Sequence, residues 1–221
     1  MQVTELDRRA DTTRLQILRA ASHQFARKSY SLVSLDDILA DAEVTKGAMY
    51  FHFRSKHALA SAIIDYRAAV ASASVDQLLA RKLSGIETLI DISYLVAVED
   101  ISDETARAGL NLLESIGRTE GLQGDIHGGW VSAFARIARK AVKDGDVIAD
   151  RDSEAIARLL VSMYLGLRQT SNLAEPERFL RDLESMWVLV LPGFVKPDRI
   201  EYLNQFIKRR TAVAVKKAIP L

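Results

Sequence analysis

The sequence has no cysteine among its 221 residues. This absence removes disulfide bonds, thiolate nucleophiles and thiolate metal ligands together, and it suits a protein of the reducing cytoplasm. No apolar run approaches the roughly 20 residues that cross a bilayer, and the N-terminal segment lacks the apolar core of a signal peptide. We therefore expect a cytoplasmic protein with no membrane segment.

The chain also has almost no net charge. Its 30 Lys and Arg residues and 29 Asp and Glu residues leave a formal charge of +1. Any binding to nucleic acid must therefore come from a local group of basic residues, because the whole molecule exerts little attraction on a polyanion. The hydrophobic share of 48% and the charged share of 27% are those of a globular protein.

Motifs of the common enzyme classes are missing as well. The chain has no Gly-x-Ser-x-Gly elbow, no Walker loop and no dinucleotide-binding fingerprint. Its four histidines lack the spacing of metal ligands. His52 and His57, for example, are five residues apart, which suits neither one helix face nor a zinc pair. We expect no enzymatic activity, no metal site and no cofactor.

Helical periodicity fills the chain, with no strand pattern and no internal repeat. We predict an all-α protein with a three-helix domain over residues 1–54 and a larger helical domain over residues 55–221. Residues 1–10 are expected to be irregular. Capping residues and Gly or Pro breaks predict helices over 11–28, 34–42, 45–53, 85–100, 103–118, 129–143, 153–170 and 176–190, a long helix from 55 and a last one after 197.

The stretch that begins at Ser34 has the pattern of a helix-turn-helix. Ser34 and Asp37 form a capping box, which predicts the start of a helix. A second short helix from Thr45 has Met49 and Phe53 four residues apart on an inward face. Its outward face combines small residues with Lys and Tyr, which suits a DNA major groove. An ordinary pair of amphipathic helices has the same spacing, so on spacing alone both interpretations stay open.

The outward face offers the chemistry that DNA recognition needs. Lys46 can reach guanine acceptors, and Thr45 and Tyr50 can donate to phosphate oxygens. Gly47 and Ala48 allow the backbone to approach base edges and a thymine methyl. The predicted DNA-contacting residues are Ser34, Thr45, Lys46, Gly47, Ala48, Tyr50, Phe51, His52 and Lys56.

Lys56 is included for an electrostatic reason. It lies in the first turn of the long helix, where a cation opposes the helix dipole, and a bound phosphate would compensate for that position. His52 is interpreted as a phosphate contact or a cap.

The same stretch closely resembles the DNA-binding segment of the tetracycline-repressor (TetR) family. The resemblance covers about residues 12–67 and is carried by residues 17–21, 25, 35–38, 44–53, 55 and 56. It implies a ligand-responsive transcriptional regulator, and specifically a repressor, that binds a palindromic double-stranded DNA operator as a homodimer. Ser29 and Glu43 depart from the family, whose members commonly carry Gly there, and a left-handed Glu43 would cost about 1 kcal/mol. A helical binding or scaffold protein without operator binding is the alternative function.

Trp130 is the main candidate for binding a small-molecule effector in the larger domain. We predict it at the start of a helix next to Gly128 and Gly129, where a pocket could use its ring and its N–H. This segment, with residues 106–109, 144–145, 164–166 and 186–192, resembles the γ-butyrolactone-receptor branch of the TetR family. In that branch a Trp at this place lines the pocket for a lactone-type signal. The predicted effector-binding residues are Tyr94, Leu110, Trp130, Phe134, Met163 and Tyr164, although an ordinary core is the alternative for most of them.

Two long helices near the end of the chain carry apolar stripes wider than one core needs. Pairing both with a symmetry mate would give a four-helix interface, which is also how TetR-like proteins dimerise. The predicted dimerisation residues are Leu160, Leu167, Phe179, Leu183 and Trp187. A monomer that hides both stripes in its own core is the alternative.

Overall fold

The computed structural model describes residues 5–117 and 122–218. The regular secondary structure of these residues is helical, with no strand among them. The predicted all-α class is confirmed. In chain order the helices are α1 (Glu5–Arg27), α2 (Leu35–Ala42), α3 (Lys46–His52), α4 (Lys56–Leu79), α5 (Gly85–Ser102), α6 (Glu104–Ser115), α7 (Leu122–Lys143), α8 (Ser153–Thr170), α9 (Pro176–Val190) and α10 (Pro197–Ala218).

Two helix starts differ from the predictions. Helix α1 already begins at Glu5, within the segment expected to be irregular, and α7 begins at Leu122 instead of residue 129. Gly124, Gly128 and Gly129 therefore lie inside α7, where each costs about 1 kcal/mol relative to Ala. Tertiary packing overrides this propensity, because the following turns of α7 bury an apolar face in the core.

The chain folds into two compact units that do not follow its linear order. Unit 1 comprises residues 1–71 and 103–123, and unit 2 comprises residues 72–102 and 124–221. Helix α6 thus belongs to the same unit as α1 to α3, although the sequence suggested a single boundary after residue 54. Helix α4 contributes its first part to unit 1 and its last part to unit 2.

Unit 1 is held together around the buried face of α1, with Ile17, Ala21 and Phe25 fully buried. Helix α6 packs along α1, and the side chain of Asn111 donates to the carbonyls of Phe25 (3.0 Å) and Ala26 (3.3 Å). Because these carbonyls lie at the C-terminal end of α1 and have no partner within that helix, Asn111 supplies a cap from another helix.

Helix α4 is long and apolar enough to cross a membrane by length and composition alone, which was not expected from the sequence. Its first turns are core elements of unit 1, with Leu59, Ala60 and Ile63 at 0%, 0% and 1% exposure. Asp65 and Arg67 add charges in the middle of the helix. The apolar residues of these first turns are thus used in packing within unit 1.

Unit 2 has its own core, formed by α5 and by α7 to α10. The five side chains predicted to dimerise lie inside this core, none more than 2% exposed: Leu160, Leu167, Phe179, Leu183 and Trp187. The two apolar stripes face other helices of the same chain, so these residues are not available to a second copy. The predicted dimerisation residues are therefore corrected to core residues of one chain, and the homodimer itself stays a prediction.

Candidate nucleic-acid interface

The capping box predicted at the start of α2 is confirmed. The Ser34 hydroxyl accepts from the backbone N–H of Asp37 (3.0 Å), and the Asp37 carboxylate accepts from the backbone N–H of Ser34 (3.2 Å). Hydrogen bonds from Ser34 lower the pKa of Asp37. One lone pair of the Ser34 hydroxyl is thus used to fix α2, and its hydrogen remains for an acceptor.

The turn between α2 and α3 depends on an unusual backbone conformation at Glu43. Its φ of 52° and ψ of 37° are left-handed, and it is the one non-glycine residue with positive φ among those described. The side chain is exposed, so no packing compensates for the strain. A left-handed conformation costs a non-glycine residue about 1 kcal/mol or more, as expected from its departure from Gly.

Helix α3 begins immediately after this turn and is held by a side-chain cap and by two buried side chains. The Thr45 hydroxyl accepts from the backbone N–H of Ala48 at 3.2 Å and so caps the helix. Met49 is fully buried and Phe53 is 4% exposed, as the four-residue spacing predicted. These two side chains fix which face of α3 is turned outward.

The outward face consists of two columns of residues four apart. Lys46 and Tyr50 form a polar column, and Gly47 and Phe51 form an apolar one. Tyr50 is 44% exposed and Phe51 is 79% exposed, which is high for such large side chains. His52 is half-buried, and its ring meets the Phe51 ring edge-on at 5.0 Å.

Lys56 has a different environment from the one predicted. Its ammonium donates to the carbonyls of Tyr30 (2.8 Å) and Val33 (2.9 Å) and lies 4.2 Å from the centre of the Tyr30 ring. The Tyr30 ring in turn stacks on Phe25 of α1 at 5.8 Å. Lys56 thus joins the start of α4 to the segment between α1 and α2. This positioning role is the one that the contacts show, and the contact with a phosphate stays a prediction.

Unit 1 also contains a polar cavity of about 540 Å³ that was not anticipated from the sequence. It lies where α1, the end of α2 and the start of α6 come together, and none of the six predicted effector residues lines it. Its lining consists of Gln16, Arg19, Ala20, His23, Asp41, Ala42, Glu43 and Glu104. Sequence spacing gave no indication of it, because α6 reaches this place from a distant part of the chain.

Two residues that line this cavity, His23 and Glu104, take part in an ionic contact between α1 and α6. Glu104 accepts from Arg27 at 2.9 Å and is 3.0 Å from Nδ1 of His23. The hydrogen bond with His23 is the largest cause that lowers the pKa of Glu104. Side-chain exposures of 39–60% mean that water screens these charges, so the contact orients α6 more than it stabilises the fold.

The six predicted effector residues are divided between the two units. Leu110 belongs to α6 of unit 1, whereas the others belong to unit 2. Tyr94 is 4% exposed and its hydroxyl is 2.7 Å from that of Thr211 in α10, so it is a core residue. Burial also raises the pKa of Tyr94. Met163 packs, half-buried, against the main core.

Trp130 and Phe134 do lie together. Both pack against a small apolar cluster formed by Val131 and Ala135 of α7 and Ala157 and Val161 of α8. Trp130 is half-buried in the middle of α7, not at its start, and the His127 ring lies 5.0 Å from it. The half-burial leaves part of the indole ring accessible from outside the unit.

Tyr164 of α8 contacts the buried ion pair between Asp100 and Arg168. Its hydroxyl donates to Asp100 at 3.3 Å, and Asp100 also accepts from Arg168 at 2.6 Å. Burial is the main cause that raises the pKa of Tyr164, and the Asp100 carboxylate raises it further. The tyrosine therefore stays a neutral donor, and Asp100 is compensated by both groups.

The chain was compared with known proteins. Residues 17–63 match the family model of bacterial regulatory proteins of the tetR family, and residues 83–196 match a tetracyclin repressor-like C-terminal domain. The A-factor receptor protein of Streptomyces griseus is 30% identical over 200 residues, which span 89% of this chain and 68% of that protein. The regulator UidR of Escherichia coli K12 is 27% identical over 189 residues, 80% of this chain and 92% of UidR.

Solved structures agree with these relatives. The TetR family protein CprB of Streptomyces coelicolor, in complex with its operator sequence, is 29% identical with a TM-score of 0.80 and covers 93% of this chain and 99% of its own. A γ-butyrolactone receptor is 28% identical with a TM-score of 0.76, covering 93% of this chain and 98% of that one. Together with the helix-turn-helix of unit 1, these matches establish that the chain belongs to the tetR family of bacterial regulatory proteins.

Proposed function

We propose that this regulator is a repressor that binds a palindromic operator as a homodimer and leaves it when a small effector binds. The outward face of α3, fixed by the fully buried Met49, is the observation that carries the proposal. A helix held in this way reads base edges in the major groove. The solved complex of CprB with its operator sequence supports operator binding by this chain. Such a protein acts on the bacterial chromosome, and therefore in the cytoplasm.

The contacts follow from the chemistry of the two columns. We assign Lys46 to acceptors on a guanine edge, and Thr45 and Tyr50 to phosphate oxygens. Gly47 and Ala48 let the α3 backbone approach the bases. Phosphate contacts fix the position of the helix, whereas the contact of Lys46 distinguishes one base pair from another.

The homodimer requires a different surface from the one predicted. The sides of α8 and α9 that face away from the core carry Leu159, 45% exposed, and Leu189, 78% exposed. Ser162 and Gly166 continue the exposed side of α8 with small side chains. We assign the two-fold contact to this surface, because it carries the large apolar side chains of α8 and α9 that are exposed, and a second copy can reach them.

The effector is assigned to the side of unit 2 where Trp130 and Phe134 lie between α7 and α8. The aromatic wall formed by Trp130 and Phe134 suits a small, mostly apolar molecule. The name of one similar protein of known structure, a γ-butyrolactone receptor, supports a lactone of this kind.

The effector signal has two routes along the chain. Helix α4 belongs to both units, and the chain also enters unit 1 at α6 and returns to unit 2 with α7. Because α6 is attached to α1 through Glu104 and Asn111, a displacement of α6 would move the helix on which α2 and α3 pack.

The operator is first isolated by incubating the protein with fragments of the genomic DNA of its source and sequencing those retained at low salt. Two half-sites read by a symmetric dimer are separated by whole helical turns, so inserting about five base pairs between them should abolish tight binding. Binding that survives this insertion contradicts the symmetric dimer. No salt-dependent retention of DNA would favour a scaffold protein instead.

The effector site is tested with Trp130→Ala, assayed by gel shift with a γ-butyrolactone as the probe. We expect unchanged operator affinity and a lost response to the lactone, because the substitution removes contact area far from α3 in the chain. Tyr202→Ala is the matched control, since it removes an exposed aromatic ring from α10. Release of DNA from Trp130→Ala at the wild-type lactone concentration would place the site elsewhere.

A further inference from the structure

Phe51 is the largest apolar side chain that unit 1 leaves in water. It is 79% exposed in the seven-residue helix α3, next to the fully buried Met49. An isolated exposed apolar residue needs no explanation on a protein surface. This one, however, lies on the face that meets the bases, where every group becomes buried when DNA binds.

The position of Phe51 on α3 defines what it can meet. It follows Gly47 by four residues and therefore lies one turn further along the same column. A Cβ added at Gly47 would come no closer than 4.0 Å to any other group, the nearest being the Thr45 hydroxyl, so the face is open beside it. The column thus presents bare backbone followed by an aromatic ring, with no donor or acceptor among its side chains.

The Phe51 ring is also restricted in orientation. The His52 ring meets it edge-on, with 5.0 Å between the ring centres and an angle of 87° between the planes. The half-buried His52 ring itself lies 6.5 Å from the buried ring of Phe53. Phe51 is therefore supported through a chain of ring contacts that begins in the core of unit 1.

We propose that Phe51 is a specificity-determining residue that reads the 5-methyl group of a thymine in each half-site of the operator. The inference rests on the proposed function, since it concerns the same helix in the major groove. Among the base edges in that groove, the thymine methyl is the apolar group, and phenylalanine is one of the side chains that contact it. Phosphates and the other edges offer charges, donors and acceptors, for which a phenyl ring has no counterpart.

The test replaces thymine by deoxyuridine, which removes the methyl and keeps the hydrogen-bonding groups. Operators isolated by the wild-type protein are synthesised with each symmetry-related pair of thymines replaced in turn, and Kd is measured by fluorescence anisotropy. We expect one pair whose replacement weakens binding roughly fourfold per half-site, or about fifteenfold in total, as for a lost buried methyl. The Phe51→Ala variant should bind both versions of that operator equally.

Leu32→Ala is the matched control, because Leu32 is 72% exposed in unit 1 but lies outside α3. It should keep the wild-type preference for thymine. Phe51→Leu retains an apolar side chain and should keep part of that preference, which separates loss of the contact from a general effect of Ala. Thermal unfolding of each variant verifies that it is folded.

Two results would overturn the inference. One is a thymine preference that persists in Phe51→Ala, which would assign the methyl to another residue. The other is wild-type binding that is unaffected by deoxyuridine at every position. In both cases the wild-type protein still binds its operator, so the proposed repressor function stands, whereas a wild-type protein that binds no operator removes the function itself.

Discussion

Two helices of unit 1 begin with a lysine, and the two lysines have different partners. Lys46 opens α3 and is exposed, whereas Lys56 opens α4 and donates to the carbonyls of Tyr30 and Val33. A cation at a helix N-terminus is unfavourable unless something compensates it. Carbonyl oxygens of the same unit compensate Lys56, while Lys46 is left facing outward for an external acceptor. Position at a helix start therefore does not by itself identify a contact with DNA.

The strongest test of this comparison is Lys56→Met, which keeps the length of the side chain. We expect a loss of about 2–3 kcal/mol in the free energy of unfolding, because two carbonyls lose a charged donor. Binding should weaken on every DNA sequence, since the start of α4 is no longer fixed beside the reading helix. Chemical unfolding and anisotropy titrations measure the two effects.

The salt dependence of binding decides between the two roles of Lys56. A positioning role leaves the slope of log K against log salt unchanged, because no phosphate contact is lost. If the slope falls by about 1 per subunit while the stability stays at the wild-type value, Lys56 contacts a phosphate.

Lys46→Met should give the converse result. We expect stability within about 0.5 kcal/mol of the wild type, because the side chain is exposed. Discrimination at one base pair should fall by about 1–3 kcal/mol. Binding to a set of operators changed at single positions measures this. An equal loss on all of them would show that Lys46 contacts only phosphate.

The sequence predicted the local features of unit 1 well. The capping box at Ser34 and the inward side chains of α3 are confirmed because each depends on residues three or four apart. The environment of Lys56 could not be predicted in the same way. Its partners lie 23 and 26 residues away, in a connection whose path depends on tertiary packing.

Unit 2 shows what a sequence pattern does not predict. The apolar stripes of α8 and α9 were recognised, but an apolar stripe alone does not indicate whether it packs within its own chain or against another. Phe179 and Trp187 are fully buried in one chain, whereas Leu189 on the same helix is 78% exposed. The periodicity was correct, but the interface did not follow from it, because the stripe residues are buried within one chain, where α9 packs against α5 and α10 and α8 packs against α9.

The turn that precedes Lys46 offers a third test. Glu43→Gly should stabilise unit 1 by about 0.5–1 kcal/mol, because glycine adopts the left-handed conformation of this residue without steric cost. This gain already allows for the greater conformational freedom of glycine in the unfolded chain, which offsets part of it. Operator affinity should change little, since the backbone of the turn is retained. Comparing the urea midpoints of the two proteins measures the gain. A loss of stability would mean that the Glu43 side chain makes a favourable contact in the cavity that it lines.

The smallest expected effect concerns Glu104. Like Lys56, this residue has its partners within unit 1, and they are His23 and Arg27. The pKa of Glu104 is lowered, first by the hydrogen bond with His23 and also by Arg27. A lowered carboxyl pKa means that this contact stabilises the folded state above the ordinary value of 4.5 and that the contribution is lost as the pH falls through the lower, folded value. Glu104→Gln should therefore cost less than about 1 kcal/mol at pH 7, because the pair is exposed and screened.

The difference between Glu104→Gln and the wild type should shrink as the pH falls below 4.5, because protonation removes the same charge from the wild-type protein. Urea unfolding between pH 7 and pH 3 follows this change. Glu177→Gln is the matched control, since Glu177 pairs with Arg181 on the surface of α9, in unit 2. If the Glu104 variant were as stable as the wild type across the whole range, α6 would be attached to α1 by Asn111 and apolar packing alone.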